Sequence, residues 1–135
     1  MDMDLYITKH RVMQDYLRQL TNLVNGTIDK ANAPLIAELI NKTTGVLNMH
    51  LASEDHFVYP KLLESSDEKI RSITRSYMNE MTKIADSYLV FHKNFNTPSK
   101  ILADTDEFKK TFKQVRDALL LRIDREEKEL YTLTV

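Results

Sequence analysis

Residues 34–57 read Pro34-Leu-Ile-Ala-Glu-Leu-Ile40-Asn-Lys-Thr43-Thr-Gly45-Val-Leu47-Asn-Met-His50-Leu-Ala-Ser-Glu54-Asp-His-Phe57. Proline is well placed in the first turn of a helix. After it, Ile36, Ile40, Thr43, Leu47, His50, Glu54 and Phe57 recur at steps of four and three, the repeat of one helical face. Pro60 marks the end of this helix or a kink in it. Gly45 costs about 1 kcal/mol against alanine in a helix interior and is expected to serve a local packing adjustment. The stripe is apolar except at its C-terminal end, where it carries an imidazole and, one turn later, a carboxylate.

The same periodicity appears three more times, separated by turn-forming stretches at Asn25-Gly26 through Pro34, Glu64 to Asp67, and Asn96 through Asp106. Upstream lies Tyr6, His10, Met13, Leu17, Leu20, Val24. Downstream lie Ile70, Tyr77, Met81, Ile84, Tyr88, Phe91, Phe95, behind a cap at Ser66 or Asp67, and Phe108, Phe112, Val115, Leu119, Arg122, Glu126, behind a cap at Asp104 or Thr105. Two glycines and three prolines in 135 residues leave little turn material for a sheet. The expectation is an all-α, four-helix up-and-down bundle formed by a single domain over residues 1–135.

Charge and composition exclude several functions. Nineteen basic residues against twenty acidic ones give no global field for nucleic acid or an anionic membrane. The absence of cysteine excludes disulfides, zinc ribbons and thiol chemistry. An acidic start, Met1-Asp2-Met3-Asp4, and no run near the roughly 18 apolar residues of a membrane span lead to the expectation of a cytoplasmic protein with no nucleic-acid or membrane partner.

His10, His50, Glu54, Arg122 and Glu126 disagree with the apolar stripes that carry them, and a buried charge must be paired or bound to metal. Mirroring antiparallel helices about loops centred near 30, 66 and 101 puts these residues in one layer, with Met81 facing Arg122 as core filler. Imidazoles and carboxylates converging from facing helices are the donors of a non-haem iron site in a bundle. His92 lies roughly 16 Å along the axis from Met81 by the helical rise and is no part of this layer. His56 points away from the Glu54 face and is expected at the surface.

These residues carry a resemblance. His50-Leu-Ala-Ser-Glu54 followed by Tyr59-Pro60-Lys-Leu62 resembles the second-helix motif of the hemerythrin-like HHE domains, and His10 matches that family's first-helix histidine in position. Arg122-Ile-Asp-Arg-Glu126-Glu-Lys-Glu-Leu130-Tyr131 resembles its fourth-helix motif, with arginine in the place of histidine. Asn79-Glu80-Met81 resembles the third-helix Glu-His step, with methionine for histidine. The resemblance implies a pair of iron atoms bridged by carboxylates, with oxygen, nitric oxide, peroxide or iron itself as what is bound or sensed. Carried over residue by residue, it implies His10, His50, Glu54 and Glu126 as ligands to one or two iron atoms, with a small gaseous ligand as partner.

Arginine is permanently charged and cannot ligate, so Arg122 is expected to replace a metal ion by pairing with Glu54 or Glu126. The second reading is a metal-free bundle that binds a protein partner, since the Arg-x-x-x-Glu fourth helix also resembles the regulator of sigma D family. Phosphotransfer on His92 lacks the small residues that such a site places after its histidine. No nucleophile with a base and no phosphate loop identifies an enzyme.

Overall fold

The computed structural model describes residues 2–135, and its described residues contain helices and turns but no strand. Helix α1 (Asp4–Val24) buries His10, Met13, Leu17, Leu20 and Val24, the stripe expected of it. Helix α2 (Ala33–Ser53) carries Pro34 in its first turn and buries Ile36, Ile40, Thr43, Leu47 and His50. It runs through a π turn (Glu54–Val58) into α3 (Tyr59–Leu63). Asp67 caps α4 (Glu68–Phe95), accepting from the Lys69 amide. Asp104 caps α6 (Thr105–Arg125), accepting from the Glu107 amide. A second π turn (Glu126–Leu130) and a 3-10 turn (Tyr131–Thr134) extend α6.

Three expectations need correction. The stretch between Asn96 and Asp104 is not all loop: Thr97 caps a short helix, α5 (Pro98–Ala103), started by proline and held by the buried Ile101. Phe57 leaves the inner stripe and is 63% exposed, whereas Val58 is fully buried. The π turn inserts one residue into the helical repeat, so the inward position moves from 57 to 58. Pro60 gives a physical reason for that turn, because a regular helix would drive its ring into the His56 carbonyl. Gly45 is exposed, and a methyl group there would meet nothing within 4 Å. No packing adjustment explains it.

The rods run antiparallel in sequence order, and the first closes on the last. His10 meets His50, residues equally far from position 30. The Tyr88 hydroxyl donates to the Ile40 carbonyl and that of Tyr77 to the Arg125 carbonyl, contacts centred on positions 64 and 101. Apolar burial falls into two clusters. One is built on Leu17, Leu20, Ile36, Phe91, Phe108 and Phe112; the other on Val58, Tyr59, Leu62, Tyr77, Leu130 and Tyr131. Such burial stabilises by roughly 25 cal/mol per Å² of apolar surface. His10, His50, Glu54, Arg122 and Glu126, each at most 4% exposed, occupy the layer between the clusters.

Candidate metal centre

Three rods bring the expected side chains to one point. His10 Nε2 lies 3.1 Å from His50 Nε2 and 2.9 Å from Glu126 Oε1, which is 3.3 Å from His50 Nε2. Ligand atoms of His10, His50 and Glu126 all fall within 4.8 Å of one another. Glu54 Oε1 comes within 3.1 Å of His50 Nε2 but makes no hydrogen bond, which leaves a buried acceptor without a partner. An orphaned carboxylate oxygen beside two imidazoles and a second carboxylate is the donor set that a cation satisfies. The residues fit a metal ion.

His10 is oriented by its neighbours. His10 Nδ1 lies 2.8 Å from Glu127 Oε2, and Glu127 is gripped by both terminal nitrogens of Arg11. A ring anchored through Nδ1 to a carboxylate can offer its Nε2 to a metal ion in exchange for the proton that this nitrogen otherwise shares with Glu126, the arrangement of carboxylate–histidine–metal triads. His50 has no such support, since its Nδ1 is buried without a partner.

Arg122 sits inside the bundle. Its Nε donates to Glu126 Oε2 at 3.0 Å, and one terminal nitrogen donates to the Tyr77 carbonyl at 2.9 Å and the Tyr59 hydroxyl at 3.2 Å. The guanidinium also lies over the Tyr77 ring, 4.5 Å from its centre, a favourable cation–π position. Its other terminal nitrogen lies 3.6 Å from Glu80 Oε1, and Glu80 also pairs with Arg125. Of the two acids expected for Arg122, the structure pairs it with Glu126.

The electrostatics follow from this layout. Burial opposes a charged His50 ring, but the hydrogen-bonded Glu126 carboxylate and the adjacent Glu54 carboxylate outweigh it and raise His50 to about 9. Burial and the charge of Glu126 push Glu54 up to about 7. Burial also works against ionised Glu126, yet its hydrogen bonds to His10 and His50 and the charges of His50 and Arg122 hold it well below the usual carboxylate range. Of the two acids, Glu126 is the one whose surroundings favour the anion and Glu54 the one whose surroundings favour the proton.

A family model, the hemerythrin HHE cation binding domain, matches residues 2–134. The chain belongs to that family. No curated protein and no solved structure matches it. In this HHE domain Met81 is buried in the apolar core and Arg122 is bonded to a carboxylate, so neither supplies a ligand. His92 is remote from the centre and bonds Asn41 Oδ1 at 2.7 Å, while His56 is exposed.

One residue that the sequence places in the fourth-helix motif, without a role in the site, belongs to the HHE domain's centre. Tyr131 is 5% exposed, and its hydroxyl lies among the donors of His10, His50, Glu54 and Glu126. The signal was the repeated pattern of a glutamate followed by tyrosine five residues later, Glu54 to Tyr59 and Glu126 to Tyr131. In both segments the tyrosine amide donates to the glutamate carbonyl, closing the π turn.

Proposed function

We propose that this HHE domain holds a single iron atom and serves as a carrier, store or sensor. The observation that supports it is the division of Glu126: Oε1 faces His10 and His50, and Oε2 faces the Arg122 guanidinium. A carboxylate placed this way would join two metal ions in a dinuclear centre. Here a permanent cation takes one side, leaving donors for one ion on the other. His10, His50, Glu54 and Glu126 would hold it. Bound iron supplies a redox-active centre with affinity for small ligands such as oxygen or nitric oxide. A groove of about 260 Å³ lined by Leu5, Tyr6, Lys9, Met49, Ser53 and Phe57 opens against His50 and gives such a ligand an approach.

The test is metal analysis of untagged protein grown with added iron and purified without oxygen. One iron per chain in the wild type, lost in His50→Ala, is the expected result; protein free of iron rejects the proposal. The second reading, a metal-free bundle that binds a protein partner, draws on Leu5, Met49 and Phe57, all more than half exposed around that groove. Iron-free wild-type protein would favour it.

A further inference from the structure

We propose that Tyr131 is itself an iron ligand, and that its phenolate makes this a ferric site. Four atoms carry the argument: His10 Nε2, His50 Nε2, Glu126 Oε1 and Tyr131 Oη. Their six separations are 3.1, 2.9, 3.3, 3.2, 3.2 and 3.2 Å. Six nearly equal edges define a tetrahedron. Its centre stands about 2 Å from every corner, the bond length of first-row cations to imidazole nitrogen and oxygen. Glu54 Oε2 approaches the same hydroxyl at 3.3 Å, so the remaining acid stands beside the cage.

Hydrogen bonding alone does not account for this packing. Even with both rings protonated, the corners carry at most three hydrogens, those on Tyr131 Oη, His10 Nε2 and His50 Nε2. Six close contacts share them. At least three edges therefore have no hydrogen directed along them, so hydrogen bonds leave half of these close polar contacts unsatisfied in a buried layer, and a central cation that replaces the corner hydrogens satisfies all four atoms. Tyr59, the matching residue after the first π turn, accepts instead from Arg122. The two tyrosines thus divide as the two sides of Glu126 do, one toward the metal position and one toward the guanidinium.

Ligation exchanges the phenolic O–H bond for an O–Fe bond and releases one proton to solvent. Two carboxylates and a phenolate are hard anionic donors that favour the trivalent ion, so the species held is ferric iron. This rests on the single-iron reading above, and the test separates the two.

The probe is ferric citrate added to the purified chain, followed by iron analysis, visible absorption and resonance Raman spectroscopy. Wild type should bind one iron per chain and show a phenolate-to-iron charge-transfer band with tyrosinate ring vibrations. Tyr131→Phe should still bind iron but lose the band, while Tyr59→Phe keeps it. Loss of a mere supporting partner costs a metal site about 10- to 100-fold in affinity, so Tyr131→Phe should yield ferric iron to competing citrate at least about tenfold more readily. Bound iron with no band, or a band that survives Tyr131→Phe, overturns the proposal and leaves single-iron binding standing. No iron in the wild type overturns both. Should Tyr131→Phe fail to fold, 3-fluorotyrosine labelling must move the band, and the band must persist in Tyr6→Phe and Tyr59→Phe; failure of either overturns the assignment to Tyr131.

Discussion

Replacing Arg122 by methionine removes the cation from the middle of the bundle while keeping much of its volume. Three acceptors lose a donor: Glu126 Oε2, the Tyr77 carbonyl and the Tyr59 hydroxyl. Breaking a buried ion pair costs roughly 3–5 kcal/mol. The lower end applies, because His10 and His50 still hold the other oxygen of Glu126 and methionine refills the space over the Tyr77 ring. For a chain of this length, about 3 kcal/mol corresponds to a fall of about 10 °C in melting temperature. The assay is thermal unfolding by circular dichroism of metal-free protein near neutral pH. A fall below about 3 °C, or less than about 1 kcal/mol, would refute the view that Arg122 stabilises this layer. Arg122→His completes the fourth-helix His-x-x-x-Glu motif and opens the far side of Glu126 to a second ion. Iron content should then rise above one per chain, and unchanged content would refute the idea that the guanidinium occupies a metal's place.

The remaining expectations concern pH, support and propensity. His50 is raised to about 9 and Glu54 to about 7, so both hold their protons more tightly in the folded chain than in the unfolded one. Their stabilisation is complete below the unfolded values and is lost as pH rises through 7 and then 9. Metal-free protein should therefore melt at lower temperature at pH 9 than at pH 6.5, with iron restoring more stability at the higher pH; an alkaline rise in melting temperature contradicts this. Glu126, held low, gives stability that disappears only as pH falls below the ordinary carboxylate range. Glu127→Ala should weaken iron binding about 10- to 100-fold by releasing His10, with Glu127→Gln closer to wild type in competition titrations. Gly45→Ala, in open space on a helix surface, should raise stability by about 1 kcal/mol, measured by urea unfolding.

The bundle was legible because four apolar stripes with helical spacing, separated by capping residues, admit few other arrangements. The layer was legible for the same reason, since His10, His50, Glu54, Arg122 and Glu126 keep the α-helical repeat up to the two glutamates. Beyond each glutamate the repeat fails. One inserted residue shifts the inward positions to Val58 and Tyr59, and to Leu130 and Tyr131, all buried. On an ideal α-helix Tyr131 would point well away from Glu126, five residues making about one and two-fifths turns. Misplacing Phe57 and giving Tyr131 no role in the site thus share one cause. Pro60 advertises the first π turn; no proline accompanies the second. Glu127 and Arg11 were hidden for another reason: they look like ordinary surface charges, and only the geometry ties them to His10.

Arg122 also bears on how folding and metal binding are related. Against Glu54 and Glu126 it leaves one negative charge in the layer, and a single proton on His50 or Glu54 is enough to balance it. The raised values of both groups express that competition. A dinuclear centre without the arginine would leave both carboxylates to be compensated by protons once its metal was removed, and like charges in a buried layer are costly. The guanidinium therefore favours a bundle folded with its metal position protonated, so that iron entry as proposed would be an exchange of protons for a cation within a folded chain. On this reading folding would not have to wait for the metal, as it does in domains whose structure is assembled by their ion. The iron carrier, store or sensor proposed above would need folded forms with and without its metal, and one fixed positive charge beside one exchangeable one would meet that requirement.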